Sequence, residues 1–159
     1  QYMVIDRCEP AIEDVRFRGI DSAEPTDSVL EAIATADAVV IGPSNPVISI
    51  NPILSVPGMR AAITDANLPV IAVSPFVGGE ILKGPTAKFM QAAGFTADVS
   101  GVADYYGELA DVLVTDQQPR STPPNMTVKL TSVAMPDRTG QRELAEAVVA
   151  TARRAARKH

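Results

Sequence analysis

The chain has 159 residues, 46% of them hydrophobic and 21% charged, with a formal net charge of −5. That size and balance fit one soluble α/β domain with a sizeable core. An acidic body with 4% aromatic residues argues against broad nucleic-acid binding, and no apolar run approaches the roughly 18 residues needed to cross a membrane.

The opening stretch, "QYMVIDRCEP", has no initiator methionine and begins on an apolar, β-prone run, so the chain reads as part of a longer protein. No n-region, h-region and cleavage site opens the chain, and nothing argues for export. Cys8 is the single cysteine. An internal disulfide is therefore impossible, and a cytoplasmic setting is the expectation. Residues 2–6 and 15–18 are short β-prone runs separated by a polar turn. "EPTDSVLEAIATADAVVIG" predicts a helix and then a strand: Thr26 or Asp27 can cap, and Val29, Leu30, Ile33 and Ala34 form an apolar stripe. Residues 38–41 are all apolar and mostly β-branched, as in a strand covered on both faces.

Further along, "PGMRAAITDA" predicts a helix starting near Pro57, because proline fits a first turn. Residues 70–73 form a second buried strand. "GPTAKFMQAAG" predicts a helix with Pro85 in its first turn and Gly94 as its stop. "VADYYGEL" reads as a short helix and "DVLVTD" as a third buried strand. A proline-rich connector leads to the more amphipathic strand "TVKLTSVAM", and residues 139–157 close the chain as a long helix whose basic end reads as a solvated terminus. Alternation at this spacing implies an α/β fold with a mainly parallel sheet and helices on both faces. Ligands of such sheets bind at the carboxyl ends of the strands, so "GPSNP" and "SPFVGG" should share one edge.

Those two loops carry the available chemistry. In "GPSNPVIS", Gly42 lets the backbone turn, and Pro43 and Pro46 stiffen it. Ser44, Asn45 and Ser49 then offer neutral hydroxyl and amide donors in a rigid frame. This suits a phosphate whose charge is partly neutralised elsewhere. The same Ser44 and Asn45 can equally satisfy a turn and cap the following helix. In "SPFVGGEILKGPTAK", Gly78 and Gly79 permit close backbone approach, and Lys83 precedes a helix start. That is an anion-site pattern, or else a lid loop with a solvated lysine, and Lys88 reads as a surface residue. His159 is a terminal residue, and no Cys/His metal spacing occurs. Asp116, at a strand end, can approach a metal or ribose or simply cap a turn. Asp104, Tyr105 and Tyr106 can line a pocket or pack.

Together, "ADAVVIGPSNPVISINPILSVPGMRAAI", "PVIAVSPFVGGEILKGPTAKFMQAAG" and "GVADYYGELADVLVTD" resemble the 2-phospho-L-lactate transferase family of coenzyme F-420 biosynthesis over residues 36–116, with "TDSVLEAIATA" also fitting. The composition is closest in flavour to the actinobacterial phosphoenolpyruvate branch. The resemblance implies a Rossmann-like three-layer fold of which residues 1–159 are the C-terminal portion, an incomplete part of a larger domain. It also implies a homodimeric, magnesium-assisted transferase. The donor would be a guanosine-diphosphate-activated three-carbon acid, the acceptor the deazaflavin precursor Fo, and GMP the leaving group. Ser44, Asn45, Pro46, Ser49, Gly78, Gly79 and Lys83 would then bind substrate, with no catalytic base assignable. Family members are considerably longer and open with a glycine-rich loop and metal-holding aspartates that are not matched here, so the metal ligands are expected outside these residues. A nucleotide-sugar-binding regulatory protein of related fold, without turnover, is the alternative reading.

Overall fold

The computed structural model describes residues 10–78, 80–81 and 85–157. In chain order its elements are α1 (Asp27–Thr35), β1 (Val39–Ile41), α2 (Asn51–Leu54), α3 (Met59–Asp65), β2 (Val70–Val73), β3 (Phe76–Val77), β4 (Glu80–Ile81), α4 (Thr86–Ala92), α5 (Val99–Tyr106), β5 (Val112–Thr115), β6 (Thr127–Leu130) and α6 (Arg138–Ala155). The β-branched runs predicted as buried strands form the sheet, in the order β1-β2-β5-β6. All three pairings are parallel. Helices lie against both faces, giving the Rossmann-like α/β arrangement that the alternating pattern implied.

The period of two along each strand sorts the core into two layers. Val70, Ala72 and Leu113 point to one face, where Met59, Ile63, Phe89, Met90, Val102 and Tyr106 of α3, α4 and α5 pack on them. Ile71, Val73, Val112 and Val114 point to the other, where Leu144 and Val148 of α6 cover them. Asp111 pins the amino edge: its Oδ2 accepts the Val70 N–H at 2.7 Å while its own N–H donates to the Val70 carbonyl at 2.9 Å. With helices on both faces, strands β2 and β5 are buried along their whole length.

Several boundaries differ from the sequence reading, each for a physical reason. Among the described residues, 15–18 pair with no strand; Val15 packs half-buried on the core, and the chain turns at Gly19 into a short helical turn, Ile20–Ser22. Helix α1 packs its stripe on the core through the half-buried Ile33, with Val29 38% and Leu30 39% exposed. Among the described residues, strand β1 is covered on one face: Val40, in register with Ile71, is 50% exposed, while α6 lies over β2 and β5. Pro57 precedes its helix instead of opening it, since Gly58 (φ +86°) turns the chain in the left-handed region before Met59. Pro85 likewise stands just outside α4, at its cap position. Gly94 does end the α4 region, with φ +83°. Helix α5 begins at Val99, earlier than expected, because Asp98 caps it. Only the first part of "TVKLTSVAM" pairs, as far as Leu130. The β-prone residues 2–6, Cys8 and His159 lie outside the described residues.

Candidate functional site

The loops leaving β1, β2 and β5 meet at the carboxyl edge of the sheet, and two hydrogen bonds between distant residues hold them there. Asn45 Nδ2 donates to Thr86 Oγ1 at 3.3 Å, joining the loop after β1 to the start of α4. The Gly78 N–H donates to Asp116 Oδ2 at 2.8 Å, joining the hairpin after β2 to the end of β5. The expectation that "GPSNP" and "SPFVGG" share one edge is met.

Within "GPSNPVIS" the residues divide sharply. The chain makes a tight turn at Pro43, with the Ser44 N–H donating to the Gly42 carbonyl at 2.8 Å. Gly42 has no left-handed backbone and nothing crowds its Cβ position, so the turn does not depend on glycine there. Ser44 is exposed, and its hydroxyl makes no hydrogen bond to the described residues. Asn45 turns inward and is 8% exposed. Its Oδ1 accepts the N–H groups of Val47 (2.9 Å) and Ile48 (3.2 Å), capping a wide helical turn, Pro46–Ile50, that runs directly into α2. In that turn the Asn45 carbonyl accepts both the Ser49 N–H (3.0 Å) and the Ile50 N–H (3.2 Å). Pro46 is fully buried at its start, while Ser49 is exposed on the outer side. The loop is therefore a rigid, uncharged platform that presents Ser44 and Ser49 and hides Asn45 and Pro46.

The second loop is a hairpin that sequence pattern alone did not reveal. Ser74, fully buried, accepts the Phe76 N–H at 3.1 Å and starts the turn out of β2. Strands β3 and β4 then pair antiparallel. Gly78 sits at the tip with φ +61°, a conformation that favours glycine. Gly79 and Lys83 lie outside the described residues. Lys88 is half-buried in α4.

A third loop contributes through α5. Asp98 caps that helix, its Oδ1 accepting the Gly101 N–H at 3.0 Å and the Thr96 hydroxyl at 2.8 Å. The Arg120 side chain pairs with its Oδ2, and the Arg120 N–H donates to Ser100 Oγ at 3.0 Å. Partial burial works to raise the Asp98 carboxyl, but the Gly101 and Thr96 hydrogen bonds and the Arg120 charge outweigh it and hold the group below its ordinary value. Gly101 is required for this closeness, since a Cβ there would stand 1.9 Å from the Thr96 carbonyl oxygen. Tyr106 is packed rather than pocket-lining, and burial pushes its phenol up. Tyr105 faces a slot of about 280 Å³ shared with Phe17, Phe95 and Asn51. A cleft of about 390 Å³ opens at the opposite, amino edge beside Lys129 and Arg154, and no carboxyl-edge loop residue lines it. Neither of these two volumes is lined by Ser44, Ser49, Gly78 or Asp116, so the site rests on convergence of loops.

Among the described residues no three of His, Cys, Asp and Glu gather where they could hold a metal ion. Asp116, the acid at this edge, already has one carboxylate oxygen on Gly78. The described residues do not fit a protein-built magnesium site.

The family model for 2-phospho-L-lactate transferase CofD matches residues 1–153. The chain belongs to the CofD family. The 2-phospho-L-lactate transferase of Methanothermobacter thermautotrophicus is 44% identical over 117 residues, covering 74% of this chain and 37% of its own length. That of Methanococcoides burtonii is 45% identical over 114 residues, covering 72% and 37%. That of Methanopyrus kandleri is 38% identical over 145 residues, covering 89% and 46%. The chain therefore spans less than half the length of these curated CofD relatives.

Set against the family's loops, sequence reasoning located the strand-end segments of this CofD chain but missed the residues that tie them together. Thr86, the buried partner of Asn45, carries no local signature that sets it apart from any first-turn threonine. Arg120 sat in a proline-rich connector with no pattern to recommend it. Asp116 was noticed as a strand-end acid, but its partner, a backbone amide 38 residues away, has no side-chain signature.

Proposed function

We propose that the protein carrying this chain is a transferase of coenzyme F-420 biosynthesis. It moves a phosphoenolpyruvyl or 2-phospho-L-lactyl group from a guanosine-diphosphate-activated donor to the deazaflavin precursor Fo. The ribityl hydroxyl of Fo attacks the phosphorus that bears the three-carbon acid. A new P–O bond forms, the P–O bond to the guanylyl phosphate breaks, GMP leaves with that electron pair, and the hydroxyl proton is lost. Family membership supports the reaction class, and the curated relatives bear the 2-phospho-L-lactate name.

The observation that carries the site is the exposed Ser44 hydroxyl, bonded to none of the described residues, on a platform locked by Asn45. A rigid neutral donor costs little ordering entropy when it meets a phosphate or ribose oxygen. Ser44 and Ser49 would contact the donor directly. Asn45 and Pro46 would hold the loop in shape, and Gly78, with Gly79 and Lys83 beyond it, would flank the nucleotide. Magnesium, which the resemblance implies, is given no step, because the described residues do not supply its ligands. The implied homodimer is open to sedimentation analysis.

Calorimetric titration with GDP and magnesium, followed by an assay of GMP release from the activated donor with Fo, tests the proposal. Saturable GDP binding and Fo-dependent GMP release are expected of the protein carrying this chain. GDP binding without GMP release would leave a binding protein, and no GDP binding would remove the donor-site reading of Ser44.

A further inference from the structure

Asp116 stands where β5 ends, and its carboxylate reaches across to the tip of the β3–β4 hairpin. Among the described residues, that hairpin is separate from the main sheet and pairs two residues of each strand, a ladder short enough to need support from the rest of the fold. Its root is firm: Phe76 is 1% exposed in one core layer, Val77 packs against the other, and Ser74 Oγ accepts the Phe76 N–H. Its tip is not. Gly78 is exposed, has φ +61°, and has nothing within 4 Å of its Cβ position. At the tip, the tie from the Gly78 backbone to the sheet is the 2.8 Å bond to Asp116 Oδ2.

From this geometry we propose that Asp116 is a positioning residue, whose carboxylate docks the glycine hairpin onto the end of β5 and so sets one wall of the nucleotide site. The proposal rests on the donor-site reading above. A carboxylate is a stronger acceptor for a backbone amide than a neutral group is, and it holds a tip that has no side-chain packing of its own. It also decides which donors remain for a ligand. With the Gly78 N–H occupied by Asp116, that donor is closed to an incoming diphosphate, which is left to the neutral Ser44 side of the cleft. Asp116 thereby fixes the orientation of the nucleotide as well as the width of the cleft.

Amide hydrogen exchange and GDP–magnesium titration of wild type, Asp116→Ala and Asp116→Asn test this together. The Ala variant should exchange the Gly78 amide about tenfold faster, with the β2 and β5 amides unchanged, and should bind GDP at least about fivefold more weakly. The Asn variant keeps an acceptor oxygen in place and should stay near wild type in Gly78 exchange and in GDP affinity. Unchanged Gly78 exchange in the Ala variant would overturn the docking role. A loosened tip with GDP affinity intact would overturn its importance to the site. Wild-type-like exchange in the Asn variant with GDP binding lost would show the charge acting on the ligand itself, which also overturns positioning. If wild type binds no GDP, the donor-site reading falls separately, and exchange alone decides whether Asp116 docks the hairpin.

Discussion

Ser44 and Asn45 are chain neighbours with opposite surroundings, and they separate ligand contact from loop stability. Asn45 satisfies two backbone amides and Thr86 from a buried position, so Asn45→Ala leaves three polar groups short of a partner. We expect it to cost about 2 kcal/mol in urea unfolding, a cap lost plus a buried hydroxyl orphaned. Ser44→Ala removes an exposed hydroxyl that bonds to none of the described residues. It should leave stability within about 0.5 kcal/mol while weakening GDP binding several-fold in calorimetry. Tyr106 poses the reverse case. Its hydroxyl is buried with no hydrogen-bond partner among the described residues, so it costs desolvation and returns nothing. Tyr106→Phe is expected to keep or raise the thermal midpoint, and a clear fall would mean the hydroxyl has a partner in solution.

At the scale of elements, the start of α5 is where burial, capping and charge combine. Asp98 holds the helix N-terminus and, through Arg120, the connector after β5. Its carboxyl is lowered in the folded state, so folded protein binds fewer protons than unfolded protein in the acid range. The stabilisation is therefore complete above the ordinary aspartate value of 3.8 and fades as pH falls through the lower folded value. Asp98→Asn should cost about 1 kcal/mol at neutral pH. The gap between wild type and variant, followed by denaturant unfolding, should shrink below about pH 4. A gap that widened on acidification would contradict this assignment. The wide turn, Pro46–Ile50, shows how an element can hide from pattern reading. "PVISI" looks like a strand or loop by composition, yet Asn45 supplies the cap, and a five-residue hydrogen-bonded turn leads into α2.

Over the whole molecule, the two faces of the sheet are unequally covered. Among the described residues, helices α3, α4 and α5 pack along one face, whereas the other is covered by α6, over β2 and β5. Two residues in one row of the register report the difference: Ile71 is fully buried and Val40 half exposed. Ile71→Ala should cost about 2–5 kcal/mol by urea unfolding and Val40→Ala less than about 1 kcal/mol, because the first opens a cavity and the second does not. Comparable losses would mean that Val40 is covered in solution.

The sequence by itself determined the alternation of helix and strand, the buried strands at 70–73 and 112–115, and the strand-end segments that belong to the CofD family. Those features depend on near-neighbour chemistry: β-branched runs, proline and glycine punctuation, and an unusual run of neutral polar groups. Tertiary structure alone decided that Asn45 faces inward while Ser44 faces out, that Thr86 and Arg120 belong to the site's frame, that Gly78 is held by Asp116, and that Val40 lies bare. Each of these turns on which distant backbone group or helix lies opposite a residue. Hydrogen bonds spanning 22, 38 and 41 residues leave no periodicity for a local pattern to record. The sheet places these loop ends together at its carboxyl edge, and that placement decides which polar groups are left to meet a ligand.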